Sequence, residues 1–277
     1  MAALPPYVGP LGRAWHYGFH LICGLVLLFL ITPILVIIPL SFNAEPYFTY
    51  PMPGFSLRWY QDFWASDMWG RAIRNSLIIG VCATILATTL GTLAALGLAK
   101  PGLPYKGLIM GVLISPIIVP LVITAVGMYF FYSSLGLANS LPGIILAHTA
   151  LGTPFVVVTV TATLVGFDYS LVRAAQNLGA SPARTFFKVQ MPLILPGVIS
   201  GALFAFITSF DEVVVVLFLA SIEERTIPRQ MWTGIREQIS PTILAVATIL
   251  VLISVLLLAT LELLRRRNER LRGIRPT

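Results

Sequence analysis

Residues 75–99 read NSLIIGVCATILATTLGTLAALGLA and contain no charged side chain. A helix of about 20 apolar residues is long enough to cross the hydrocarbon core of a bilayer. A closed β-barrel is the other architecture that a bilayer allows, but its strands alternate over about 10 residues, whereas this run is continuous. The stretch therefore predicts a membrane-spanning helix.

Five more runs of this kind lie on either side of it. The six predicted spans cover residues 19–40, 75–99, 107–132, 142–165, 196–220 and 242–264. The first run is too long for the apolar part of a secretion signal, and no cleavage-site pattern follows it, so we interpret it as a retained helix. We expect an all-α polytopic membrane protein with six transmembrane helices, forming a single domain over residues 1–277.

The composition supports a membrane protein and disfavours other classes. Of the 277 residues, 57% are apolar and 10% are charged, whereas soluble domains carry about 25% charged residues. A soluble enzyme and a disordered scaffold are therefore disfavoured. The net charge of +7 does not predict nucleic-acid binding, because a basic excess in a membrane protein usually lies in its cytoplasmic loops.

The Lys and Arg residues predict the orientation of the spans. Six spans place both termini on one side of the membrane. If that side is cytoplasmic, it holds 12 of the 18 Lys and Arg residues, and the opposite side holds 6. Cytoplasmic loops are enriched in these residues, so we expect both termini inside the cell.

The inner loop of residues 166–195 is too long for a simple connector, and it contains several residues that typically start or end a helix. Ser170 is a candidate cap for a first short helix, and Gly179 suits the left-handed residue that ends such a helix. Ser181 is a candidate cap for a second helix, with Pro182 at its first position. The loop therefore predicts two short helices joined by a turn.

The side chains of these two helices suggest a binding surface. Ala174 and Ala175 lie at the middle of the first helix, where small residues let another protein approach the backbone. Phe186 and Phe187 offer apolar anchors on the second helix, which we expect Pro192 to stop. The pattern favours a helix–turn–helix that inserts into a partner's groove; an amphipathic hairpin lying on the membrane is the alternative.

This loop resembles the EAA loop of ABC-importer permeases. The family pattern is Glu-Ala-Ala, three residues, Gly, nine residues, and then Ile-x-Leu-Pro. Ala174, Ala175 and Gly179 match it, and VQMP stands at 189–192 with the spacing kept. Arg173 stands where the family has Glu, which affects a polar contact but not the small residues of the helix.

The resemblance implies a type I ABC-importer permease fold in a bacterial inner (plasma) membrane. It implies that residues 166–195 form the coupling loop, which seats in a cleft of a separate ATPase. The coupling residues would be Arg173, Ala174, Ala175, Gly179, Ala180, Ser181, Pro182, Phe186, Phe187 and Pro192. The implied partners are a second homologous permease subunit, two ATP-binding subunits and a periplasmic or lipoprotein substrate-binding protein. ATP and Mg would bind to the ATPase, and no cofactor or metal is expected in this chain.

Three other stretches extend the resemblance and suggest the substrate. FSLRWY at 55–60 is similar to an outer loop of such permeases. SFDEVV at 209–214 and SPTILAVAT at 240–248 resemble the putrescine/spermidine branch. This implies polyamine import, with another small amine, an opine or an amino-acid-like solute as alternatives, because related branches share these stretches.

Asp211 and Glu212 are adjacent acids inside the predicted fifth span. A charged side chain at the centre of a membrane helix costs about 3 kcal/mol on insertion scales, so these two are not expected to face lipid. One hypothesis is that at least one of them lines the translocation path and attracts a cationic substrate, with Ser209 and Asn75 as further pathway candidates. The alternatives are a structural ion pair with the companion permease and a helix cap.

Small residues and prolines predict how the spans pack. The fifth span carries a stripe of small residues four apart, a spacing that permits close helix packing within the chain. The stripe comprises Gly197, Gly201, Ala205 and Ser209. Pro116, Pro120 and Pro154 predict kinks in the third and fourth spans.

Motifs for catalysis are absent from the sequence. It contains no G-x-x-x-x-G-K-[ST], H-E-x-x-H or G-x-S-x-G pattern. We therefore do not expect this chain to hydrolyse ATP, and the resemblance implies a permease subunit and not an enzyme. A secondary transporter, which would show an internal inverted repeat, and an integral membrane enzyme are the alternatives from other classes.

Overall fold

The computed structural model describes residues 9–47, 49, 51–100, 102–237 and 240–271. Within them the only extended pairing is an isolated bridge between Asn43 and Phe55, so the all-α prediction is confirmed. A π-helical turn, Phe186–Gln190, lies between α8 and α9. The α-helices are α1 Pro10–Leu40, α2 Arg58–Ala65, α3 Asp67–Leu98, α4 Lys106–Ile118, α5 Leu121–Ser134, α6 Leu141–Val165, α7 Ser170–Asn177, α8 Pro182–Thr185, α9 Met191–Asp211, α10 Val214–Leu219, α11 Ile227–Glu237 and α12 Thr242–Leu271.

Length and composition identify four or five candidate spans among the described residues, so the count of six stays a prediction. Four helices are long and apolar enough to cross a membrane: Pro10–Leu40, Asp67–Leu98, Leu141–Val165 and Pro182–Asp211. α4 and α5 add a fifth only if the bent pair counts as one span. In α12 the apolar part identified among the described residues, Thr242–Leu256, is shorter than a span.

The third predicted span, residues 107–132, is broken and not merely kinked. α4 and α5 meet at an angle of 103°. Pro120 lies between them, and Val119 before it is extended, with ψ of 134°, because a proline disfavours the helical conformation of the preceding residue. Pro116 and Pro154 lie inside the helices α4 and α6.

The fifth predicted span, residues 196–220, is wrong as a single helix. α9 begins earlier, at Met191, and ends at Asp211. Glu212 is extended, with φ of −70° and ψ of 122°, and the short helix α10 follows. The break falls at the two adjacent acids.

The chain divides into two compact units, Asp67–Thr233 and Met1–Ser66 with Gly234–Thr277. In the second unit, α2 is held by its aromatic side chains. The Trp59 indole donates to the Asn43 carbonyl at 2.6 Å, and the Tyr60 hydroxyl lies 2.6 Å from the Ser41 hydroxyl. The single-domain prediction for residues 1–277 stays a prediction.

Close packing of α3, α6 and α9 forms the core of the Asp67–Thr233 unit. A methyl group built on Gly201 would lie 2.8 Å from the Val156 Cα, and one built on Gly152 would lie 3.1 Å from the Ala205 Cβ. Such short separations are possible only because these residues are small, which lets helix backbones touch in an apolar medium. The prediction that the small-residue stripe of α9 packs within the chain is therefore confirmed.

A second apolar cluster in the same unit fixes α10. Val215, Val216 and Leu219 are fully buried in a cluster that includes Tyr132 from α5. The Asn139 N–H also donates to the Leu219 carbonyl at 2.8 Å. The short helix α10 is therefore held in place by contacts that do not involve α9.

Candidate functional site

Asp168 caps the N-terminus of α7, the first helix of the 166–195 loop. Its carboxylate accepts a hydrogen bond from the Ser170 N–H at 2.8 Å and another from the Ser170 hydroxyl at 2.7 Å. Ser170 is itself the first residue of α7, so the prediction that it caps the helix is wrong. Asp168 lies two residues before Ser170, and its carboxylate accepts the Ser170 N–H that the helix leaves free. An Asp-x-Ser pattern in a sequence indicates this kind of local cap.

The same contacts set the charge of Asp168. The hydrogen bond from the Ser170 hydroxyl, and then that from its N–H, hold the pKa of the Asp168 carboxyl below its usual value. The Arg173 guanidinium lowers this pKa further, by a smaller amount. Asp168 is therefore ionised at neutral pH and complements the N-terminal end of α7.

The turn after α7 depends on Gly179, as predicted. Gly179 has φ of +87°, a conformation in which an L-residue places its Cβ against the backbone. The Gly179 N–H donates to the Gln176 carbonyl at 2.9 Å, and the Ala180 N–H donates to the Ala175 carbonyl at 3.0 Å. This pair of bonds is a Schellman motif, which ends a helix and satisfies its last carbonyls.

The second helix begins where the sequence predicts. The Ser181 hydroxyl accepts a hydrogen bond from the Arg184 N–H at 3.3 Å, and Pro182 is the first residue of α8. Pro182 has no N–H to leave unpaired in the first turn, so it is favourable there.

The second helix does not stop at Pro192, which corrects the prediction. The π turn Phe186–Gln190 leads directly into α9, and its end is marked by the Met191 N–H donating to the Phe186 carbonyl. A proline in an α-helix clashes with the carbonyl four residues earlier. The turn directly before Pro192 is π-helical and not α-helical, so its carbonyls bond five residues along and not four.

The two short helices present small and apolar side chains at the surface of the chain. Sequence reasoning missed Leu178, which is 89% exposed beside Gly179, although Phe187, 66% exposed, was predicted. Of the ten predicted coupling residues, Arg173, Ala174, Gly179, Ser181, Pro182, Phe187 and Pro192 are exposed, and Ala175, Ala180 and Phe186 are partly buried. The loop thus offers an uncovered surface that includes Ala174, with Ala175 partly buried beside it.

The structure separates the two acids of the fifth span. Glu212 is 7% exposed, and its carboxylate accepts a hydrogen bond from the Val215 N–H at 2.8 Å. It therefore closes the first turn of α10, the cap that sequence analysis left open as an alternative. Asp211 is the last residue of α9 and is exposed.

Ser209 and Asn75, the other pathway candidates, are engaged within the protein. The Ser209 hydroxyl lies 2.8 Å from Nδ1 of His148. The Asn75 amide donates to the Glu223 and Arg225 carbonyls at 2.7 and 3.1 Å. Among the four candidates only Asp211 is exposed. No three His, Cys, Asp or Glu side chains converge to hold a metal ion in the described part of the chain.

Comparison with known proteins gives a family and several relatives. Residues 87–270 match the family described as binding-protein-dependent transport system inner membrane component. The chain is 31% identical over 241 residues to the spermidine/putrescine transport system permease protein PotC of Haemophilus influenzae, covering 87% of this chain and 93% of the relative. It is 33% identical over 230 residues to the putrescine transport system permease protein PotI of Escherichia coli, covering 80% and 81%.

A solved structure shares the fold. It belongs to a bacterial ABC transporter involved in the import of the acidic polysaccharide alginate, and it superposes with a TM-score of 0.73 at 16% identity, covering 95% of this chain and 99% of that chain. The family match spans more than half of this chain, which makes the protein a multi-pass inner-membrane transport component and not an enzyme. The chain therefore belongs to the family of binding-protein-dependent transport system inner membrane components, the permease subunits of ABC importers.

Proposed function

We propose that this protein is the permease subunit of an ATP-driven importer of polyamines such as putrescine and spermidine. The relatives named for polyamine transport, at 31% and 33% identity over most of the chain, support this substrate class. The observation that carries the coupling role is the exposed surface of α7, where Ala174 lies five residues before the left-handed Gly179.

The 166–195 loop is the contact with the ATPase in this proposal. Small side chains on α7 let the partner's cleft reach the helix backbone, and Phe187 and Leu178 provide exposed apolar anchors. The loop also carries three exposed cations, Arg173, Arg184 and Lys188, which favour a cleft with acidic groups at its rim. Three further predicted coupling residues set the path of the chain at this surface: Ser181, Pro182 and Pro192.

The complete importer contains further subunits in this proposal. A second homologous permease completes the pathway, two ATP-binding subunits hold ATP and Mg, and a periplasmic or lipoprotein binding protein delivers substrate. Closure of the ATPases moves the loop and the spans, which alternates access to the two sides. The distribution of Lys and Arg favours cytoplasmic termini, so that the loop faces the ATPases.

Asp211 is the residue that we assign to the cation pathway. Its carboxylate is exposed at a helix end inside an apolar segment, where a lone charge is costly unless it faces water or a partner. The C-terminal end of α9 adds the negative end of a helix dipole at the same place. Both features favour the ammonium groups of a polyamine.

Substitution of Ala174 tests the coupling role. Ala174→Trp places a bulky side chain on the docking face without disturbing the core, because Ala174 is exposed. We expect that the ATPase no longer co-purifies with the Ala174→Trp permease and that polyamine uptake falls as a result. Ala65→Trp, at an exposed alanine of α2, is the matched control and should retain both. Full ATPase binding and uptake by Ala174→Trp would refute the coupling role.

Substitution of Asp211 tests the pathway role. Asp211→Asn removes the charge and keeps the size of the side chain, so we expect slower putrescine uptake with normal assembly of the complex. Wild-type uptake by a normally assembled Asp211→Asn importer would exclude Asp211 from the path.

A further inference from the structure

A buried histidine joins α6 to the last turn of α9. His148 is 1% exposed, and its Nδ1 lies 2.8 Å from the Ser209 hydroxyl oxygen. Its other ring nitrogen, Nε2, has no hydrogen-bond partner among the described residues. Burying an unpaired polar nitrogen is unfavourable, so packing alone gives no reason for a histidine where leucine would fill a similar space. The specific contribution of the imidazole is its bond to Ser209.

This bond lies next to the break in the fifth span. Ser209 precedes Asp211 by two residues, and α9 ends at Asp211. The terminal turn of a helix lacks the hydrogen bonds that a following turn would supply, so it needs an outside contact to stay fixed. His148 provides that contact on the α9 side. On the other side, the Glu212 carboxylate fixes the start of α10 through the Val215 N–H.

We propose that His148 is a positioning residue for import, which acts through Ser209 to hold the last turn of α9 and thereby the direction of the Asp211 carboxylate. This inference rests on the proposed function, in which Asp211 lies on the cation path. The attraction between a carboxylate and an ammonium group weakens as their separation grows. If the bond between His148 and Ser209 were lost, the C-terminal turn of α9 would be free to move and the Asp211 carboxylate could shift away from the passing cation.

Two substitutions of different chemistry at position 148 separate positioning from packing. His148→Leu fills the space but cannot bond to Ser209. His148→Asn keeps an amide near the position of Nδ1 and can restore the bond. In the complete importer, reconstituted in proteoliposomes with saturating putrescine-loaded binding protein, we expect His148→Leu to slow initial putrescine uptake about fivefold, the effect of one lost buried hydrogen bond. His148→Asn should recover most of that rate.

A double substitution tests whether His148 acts through Asp211. In an Asp211→Asn background the charge that His148 positions is gone, so His148→Leu should cause no further loss of uptake. A structural role would give the same fivefold loss in both backgrounds, and this result would overturn the inference. If His148→Leu does not assemble, Ser209→Ala removes the same bond with a smaller change and takes its place in both comparisons.

The two proposals fail in distinguishable ways. If Asp211→Asn alone leaves putrescine uptake unchanged, the pathway role fails and the positioning role fails with it. If Asp211→Asn slows uptake and His148→Leu adds its full loss, only the positioning role of His148 is overturned. If His148→Asn is as slow as His148→Leu, the hydrogen bond to Ser209 is not what matters, and the positioning role is overturned too.

Discussion

The contact between α6 and α9 makes a strong prediction for Gly201→Ala. The added methyl group would lie 2.8 Å from the Val156 Cα and 2.5 Å from the Thr159 hydroxyl oxygen. Carbon atoms in ordinary contact are about 3.5–4.0 Å apart, so the shortfall at Val156 is about 1 Å. Because the obstacle is a backbone atom, no side-chain rotation relieves it, and the helices must separate.

The size of the effect follows from two opposing contributions. Inserting a methyl group into a well-packed core costs about 1–3 kcal/mol, and the backbone obstacle favours the upper part of that range. Replacing Gly by Ala in a helix returns up to about 1 kcal/mol of helix propensity. We therefore expect Gly201→Ala to destabilise the protein by about 1–2 kcal/mol.

Thermal unfolding of the detergent-purified chain measures this effect. Gly111→Ala in α4 is the matched control, because nothing lies within 4 Å of the methyl group it adds. It gains helix propensity without a clash, so its thermal midpoint should equal or exceed that of the wild type. Equal midpoints for Gly201→Ala and Gly111→Ala would refute the view that close backbone packing requires glycine at position 201.

Four further outcomes are expected. Glu212→Gln keeps an acceptor oxygen for the start of α10 and should retain uptake, whereas Glu212→Ala should lower the thermal midpoint; equal loss in both would favour a role for the charge itself. Gly179→Ala forces an L-residue to φ of +87° and should destabilise the loop by about 1–2 kcal/mol, weakening ATPase co-purification; unchanged binding would contradict this. Folding lowers the pKa of the Asp168 carboxyl, so the stabilisation that this carboxylate contributes is complete above its unfolded-state pKa and is lost as pH falls through its folded-state pKa. The hydrogen-exchange protection of the Ser170 amide should decrease with that loss in the wild type, and it should not do so in Asp168→Asn. Asn75→Ala removes two hydrogen bonds to carbonyls at 2.7 and 3.1 Å and should lower the thermal midpoint without changing the relative uptake of putrescine and spermidine; a change in that preference would restore Asn75 to the pathway.

The sequence by itself determined the features that depend on neighbours along the chain. Long apolar runs predict helices because a helix satisfies all of its backbone hydrogen bonds internally, where lipid offers no partner. The helices α3 and α6 confirm this prediction. Gly179, Ser181 and Pro182 mark helix ends because their preferences are local. The small residues four apart on α9 predict close packing for the same reason, since helical geometry alone places them on one face.

Only the tertiary structure decided where the fifth predicted span breaks and how its two charges divide. Composition does not mark the end of α9, because Val213 and the residues after it are as apolar as those before. The chain leaves the helix there because α10 is held by its buried cluster and by the Asn139 N–H, contacts with residues distant in sequence, and because Glu212 then caps the start of α10 locally. Those same contacts leave Asp211 exposed and Glu212 buried, although the two acids are neighbours in the chain and similar in chemistry.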